Sequence, residues 1–209
     1  MKYEWRKQAK ELYLPKQQPR IVTVPTQRFI SLHGVGNPNG PEFKQRVETL
    51  YPLAYGLKSA YRKWAADQSV EFDGYTVFPL EGVWSLTEKG QHLDHLDKNE
   101  FSYDIMIQIP MFVPADLLQA TIDQVSAKKQ LALGDQVDIK QYPEMLAAQI
   151  LHVGAYDDEP ASFAKIDALV AATDHQRRSK IHREIYLSDA RRVAPERLKT
   201  VLRYQLNKN

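Results

Sequence analysis

The sequence predicts an α+β protein in which helices pack on one face of an antiparallel sheet. Three observations carry that expectation. Strand-like and helix-like segments are interleaved along all 209 residues rather than falling into separate blocks. The strand-like runs are joined mostly by short, hairpin-like returns. One stretch also occurs twice: Leu32-His33-Gly34-Val35-Gly36, a Pro-bearing turn and Phe43 come back as Leu151-His152-Val153-Gly154-Ala155, a Pro-bearing turn and Phe163. In both copies an apolar run precedes the echo and an amphipathic helical pattern follows it, which suggests two copies of one supersecondary unit. Two such units facing each other make a cleft at their junction, and clefts are where small ligands bind.

Residues 1–20 are charged, carry Pro15 and Pro19, and read as an arm that folds over a body spanning 21–209. Within the body, 21–24 and 28–35 are rich in β-branched and aromatic residues and read as strands around the Pro25 turn. After the turn Asn37-Pro38-Asn39-Gly40, Pro41 suits the first position of a helix. Phe43, Val47, Leu50, Ala54, Leu57, Tyr61 and Trp64 then recur every three or four residues, so a long amphipathic helix is expected, kinked at Pro52. Extended segments at 75–78, 83–86 and 103–113 complete a first repeat of about 21–113. A connecting helix follows at 114–129, opened by Pro114. The second repeat, about 140–190, reads as extended at 144–152, helical at 160–170 and extended at 180–188, and a helix at 195–203 closes the chain.

Composition narrows the function. With 28 Lys and Arg against 26 Asp and Glu there is no domain-wide positive field to hold a nucleic-acid backbone, so no nucleic-acid partner is expected. The absence of cysteine excludes disulfides, thiolate metal sites and a Cys nucleophile. The charged start, Met1-Lys2-Tyr3-Glu4-Trp5-Arg6-Lys7, lacks the apolar core of a signal peptide, and no run of about 18 apolar residues occurs, so a soluble cytoplasmic protein without membrane contact is expected.

The strand at 180–188 divides by its two-residue period. Ile181, Arg183, Ile185 and Leu187 share one face; His182, Glu184 and Tyr186 share the other. With helices over the Ile face, the second face points either to bulk water or into the cleft. In the cleft, Glu184 is a carboxylate among aromatic rings, where desolvation raises a pKa and makes a proton shuttle or a partner for a cationic ligand. Tyr55, Tyr75, Phe78, Trp84, Phe112 and Tyr156 fall near the junction and are the candidate walls, suited to a planar, lipophilic or cationic molecule. His92, Asp94, His95 and Asp97 have the residue types of a metal site but match no strong zinc spacing, and read as a polar loop. His33 and His152 read as hydrogen-bonded strand ends. The Gly-x-Gly-x-x-Gly pattern fails at Asn39, there is no Walker loop, and no Gly-x-Ser-x-Gly elbow supports a serine triad. No metal or other cofactor is called for.

These residues bring a family into view. Tyr3-Glu4-Trp5-Arg6-Lys7 with Glu11-Leu12-Tyr13, then Pro79-Leu80-Glu81-Gly82-Val83-Trp84, then Ile185-Tyr186-Leu187-Ser188-Asp189 with Arg191-Arg192 resemble the stand-alone bacterial branch of the GyrI-like small-molecule-binding family over nearly the whole chain. The resemblance implies tandem β-α-β-β repeats forming one antiparallel sheet, with a ligand cleft between the halves. Relatives in that family include drug-sensing domains fused to DNA-binding regions, a gyrase inhibitor, and hydrolases of cyclopropane-bearing natural products. The family's ligand-facing acid maps onto Glu184. Pro52 and Ala190 depart from the branch's pattern in framework positions.

Two functions compete for one pocket. In the first, a lipophilic, planar or cationic molecule stacks between Trp84 and Tyr186 while Glu184 supplies charge. In the second, Glu184 directs water onto a strained electrophile, with Tyr186 or His182 as proton donor. A gyrase-inhibitor-like protein contact is a third class for which no surface is identified, and the sequence leaves a homodimer open.

Overall fold

The computed structural model describes residues 1–208. The arm forms β1 (Lys2–Tyr3), α1 (Trp5–Gln8) and α2 (Lys10–Tyr13). The body continues with β2 (Arg20–Val24), β3 (Gln27–Val35), α3 (Pro41–Ala65), β4 (Gly74–Tyr75), β5 (Leu80–Leu86), α4 (Glu88–Gln91), β6 (Phe101–Ile109) and α5 (Ala115–Lys129). It ends with β7 (Asp138–Tyr142), β8 (Met145–Val153), α6 (Glu159–Ala171), β9 (His175–Arg177), β10 (His182–Tyr186) and β11 (Lys199–Lys208).

Nine strands form one antiparallel sheet in the order β2-β8-β11-β10-β5-β6-β3-β7, with β9 paired to the end of β11. The centre of that order is a duplication: β3, β5 and β6 with α3 in one half answer β8, β10 and β11 with α6 in the other. The halves meet where β5 pairs with β10, and Gly82 lies directly opposite Glu184. The echo marks the equivalent strand ends, where Gly36 and Gly154 both take positive φ (111° and 148°). Strand register shifts it by one residue: Leu32 pairs with Ile105, whereas Leu151 pairs with Val201 and it is Ile150, opposite Leu202, that takes the place of Leu32.

The two repeat helices, α3 and α6, lie on the Glu184 side. Leu50, Leu53, Leu57 and Tyr61 of α3 pack on Ile30, Leu32, Ile105 and Ile107, and Ile166 and Val170 of α6 pack on Ala148, Ile150 and Leu202. The helix α3 runs through Pro52 without a break in assignment, because Pro41 to Ala65 gives packing on both sides of the lost donor. The Ile185 face is therefore not the helix-covered one, against the arrangement considered from sequence. The arm covers it instead: Tyr13 is 1% exposed and its hydroxyl donates to Glu81 Oε1 at 2.8 Å, while Gln149 and Arg203 donate to the Glu11 and Leu12 carbonyls.

This face is the inside of a half-barrel. Arg183 on β10 reaches Gln27 on β3 at 2.7 Å, although those strands are three places apart, roughly 14 Å in a flat sheet. Only strong curling closes that distance.

The closing helix expected at 195–203 is absent. A short 3-10 turn covers Pro195–Arg197, and the chain then enters β11 between β8 and β10. Helices on one side and the arm on the other bury Thr200 to Tyr204 on both faces, which removes the alternation that would have marked a strand. The extended segment expected at 75–78 shrinks to the two-residue β4, which pairs in parallel with β1.

Candidate functional site

The gap between α3 and α6, floored by β5 and β10, is a groove of about 1840 Å³. Strand period puts His182, Glu184 and Tyr186 of β10 and Trp84 of β5 on its floor, as parity requires once the helices sit on that side. Trp84 Nε1 donates to Tyr186 Oη at 2.8 Å, and Tyr186 Oη donates to Glu184 Oε2 at 2.8 Å. His182 Nε2 lies 3.0 Å from Glu184 Oε1, and since a carboxylate only accepts, the ring donates there. Both oxygens of Glu184 are thus held by named donors.

Gly82 makes this relay possible. A Cβ there would stand 2.5 Å from Trp84 Nε1 and 3.1 Å from Tyr186 Oη, so the indole and phenol close over the backbone only because no side chain intervenes.

Rings wall the groove. Phe43 of α3 stacks on Trp84 with centroids 6.1 Å apart, Phe163 of α6 meets His182 edge-on at 5.0 Å, and Tyr156 meets Tyr186 edge-on at 6.1 Å. Tyr55 sits on the outer rim, 57% exposed. Two expected wall residues lie elsewhere. Tyr75 and Phe112 pack with Tyr61 in the core under α3, where Tyr75 is 1% exposed, because β4 and the turn after β6 run beneath the helix and not beside the groove.

The residue that sequence reasoning missed is Glu159, the first residue of α6. It is 7% exposed, and its Oε1 has no hydrogen-bond partner among the described residues. Burial first, then the charge of Glu184 and a carboxyl–carboxylate hydrogen bond to it, push its pKa up to about 9. Burial and the neighbouring acid thus favour the protonated form of Glu159. Burial and the same two acids raise the Tyr156 phenol to about 12 and the Tyr186 phenol well above its usual value, so both stay neutral. The site is two acids side by side, one retaining a proton beside a charged partner.

The other sequence candidates keep to their neighbours. In the loop at the groove's rim, His92 Nδ1 is 2.7 Å from the Glu88 carbonyl and His95 Nδ1 is 2.7 Å from Asp94. His33 bonds Asp104, and His152 bonds Ser162 and the Ala155 carbonyl.

With this geometry in hand, comparison with known proteins is decisive for the family. A model of the GyrI-like small molecule binding domain matches residues 17–206. The chain belongs to that family. Two crystal structures described as hydrolases from Listeria innocua superpose on this GyrI-like chain with TM-scores of 0.84 and 0.85, at 26% and 27% identity. They cover 98% and 99% of it and 100% of their own chains. The C-terminal domain of EcmrR, at 9% identity and a TM-score of 0.52 over 92% of this chain and 98% of its own, shares the fold alone. No match was found among curated proteins. No helix among the described residues is long and apolar enough to cross a membrane.

Proposed function

We propose that this GyrI-like protein is a hydrolase of planar, lipophilic electrophiles, of which a cyclopropane conjugated to a carbonyl is the type. The observation that carries this reading is the pairing of Glu184 on the floor of an aromatic groove with Glu159 at the start of its α6 wall: binding alone needs one charge, whereas water addition needs one group to take a proton and another to give one. The likeness to the Listeria hydrolases over the full chain supports it.

In this mechanism the rings of Trp84, Phe43 and Tyr156 hold the flat substrate. Glu184, oriented by Tyr186 and His182, accepts a proton from water as the water oxygen bonds to the strained ring carbon. The ring C–C bond breaks, its electron pair passes to the conjugated carbonyl oxygen, and Glu159 protonates that oxygen. Proton return from Glu184 to Glu159 closes a cycle that consumes one water. Tyr186 keeps its proton and acts by holding Glu184.

The test is loss of a cyclopropane-bearing alkylating agent, followed by chromatography, with wild type beside Glu184→Gln. Multiple turnovers that vanish in the variant support a hydrolase. If neither protein consumes the compound, the reading fails. The second reading, a binding protein for lipophilic cations, rests on Glu184, which lies among the rings of Trp84, Tyr156 and Tyr186 with no Lys or Arg within salt-bridge distance of it among the described residues. Quenching of tryptophan fluorescence by a lipophilic cation, without turnover of the electrophile, would favour it.

A further inference from the structure

The inner face of the half-barrel carries a second opening. A pocket of about 390 Å³ lies there, lined by Arg178, Arg183 and Arg203 with Val83, Tyr142 and Met145; it meets the rim of the groove at Ser179, Ile181 and His182, while neither Glu184 nor Glu159 lines it. Two of these arginines are enclosed: Arg183 is 4% exposed and Arg203 is 0% exposed. Arg183 lies between the rings of Phe29 and Tyr142, 5.1 and 4.8 Å from their centroids.

Their neighbours do not balance them. Glu81 is the enclosed acid of this face, 3.5 Å from Arg183 Nη1, and one carboxylate stands against two guanidinium groups. Arg203 places Nε and Nη2 on Gln149 Oε1 and Nη2 on the Leu12 carbonyl, while its Nη1 is buried with no hydrogen-bond partner among the described residues. Burial and the repulsion of Arg183 pull the Arg203 pKa down to about 10. A buried cation short of both a donor's partner and a counter-charge is costly, and an anion brought into reach relieves it.

We propose that this pocket binds a small molecule with a phosphate or carboxylate head, the head turned to Arg183, Arg203 and the exposed Arg178 at the mouth, and the body against Val83, Tyr142 and Met145. It is a site distinct from the acid pair of the groove, since neither Glu159 nor Glu184 lines it. Guanidinium forks suit such oxyanions by bidentate bonding, and the volume exceeds that of a bare phosphate, leaving room for the apolar part.

Thermal unfolding of the full chain at constant ionic strength tests this with phenyl phosphate, benzoate and, as the uncharged control, phenol. At saturation at least one anion should raise Tm by about 2–4 °C, and phenol should not. Gln205→Glu puts a carboxylate on the pocket wall; it should raise Tm without ligand and abolish the response to the anions. Arg178→Glu, at an exposed position, should weaken the response at least tenfold in ligand concentration, and Glu184→Gln should leave it intact. A response no larger than that to phenol overturns the proposal, as does one that survives both pocket variants or disappears in Glu184→Gln.

Discussion

The two faces of the central strands do opposite things with the same few residues. On β10, Glu184 and Tyr186 face an open groove and keep polar atoms in reach of a ligand, while Arg183 between His182 and Glu184 is enclosed on the opposite face between Phe29 and Tyr142. On β5, Gly82 leaves space for the relay, and Glu81 beside it is fully enclosed. One face opens on the groove, and the other ties the halves together through Gln27, Gln108, Gln149 and the arginines. A single step along the strand therefore separates a substitution that costs activity from one that costs the fold.

The strongest way to sharpen the contrast is Glu184→Gln, expected to lower turnover of the electrophile by about 10²–10⁴-fold while Tm stays close to wild type. Steady-state rates beside thermal unfolding measure both. On the hidden face, Glu81→Ala leaves Arg183 and Arg203 without their carboxylate and should cost about 3–5 kcal/mol in urea unfolding. Parity of effect between these two variants on stability would break the comparison.

Gly82→Ala comes next. Its methyl group must displace the Trp84 indole and the Tyr186 hydroxyl, at about 1–3 kcal/mol of strain, and kcat should fall more than KM rises because Glu184 loses its orientation. Tyr186→Phe removes one donor to Glu184 and the acceptor of Trp84 Nε1, worth about tenfold in rate at about 1.4 kcal/mol; an unchanged rate would show that the relay does not position the acid.

A last contrast is in pH dependence. Glu159 has a folded-state pKa raised above the carboxylate range, so the folded state binds its proton more tightly than the unfolded chain does. Its contribution is full in acid, below the ordinary carboxylate pKa, and is lost as pH rises toward about 9. Unfolding of Glu159→Gln across the same range should show a flatter decline. The hydrolytic rate should also fall in the wild type as Glu159 loses its proton, and a rate that rises through that window would remove Glu159 as the proton donor.

How much of this was legible depended on where each residue's information lay. His182, Glu184 and Tyr186 were readable because a strand's two-residue period is a local property. Glu159 carried no such mark: it follows the short 3-10 turn Tyr156–Asp158, and its role arises from Glu184, which packing brings to it from another element. Tyr75 and Phe112 looked like wall residues because their ring chemistry fits a wall, and nothing local says which side of α3 they will meet. β11 was misread because burial on both faces erases the alternation on which a strand is recognised.

The sequence by itself determined the duplicated α+β plan, the long helix after Gly40 and the face of β10 that bears the acid, since these follow from periodicity and spacing along the chain, and it brought the family into view through the likeness of whole motifs. Tertiary structure alone decided which side of the sheet the helices cover, that the arm seals the other, that Glu159 joins Glu184, and that two arginines share one carboxylate inside the half-barrel. Those depend on distances between residues far apart in sequence, which curling of the sheet and docking of helices create and no local pattern encodes.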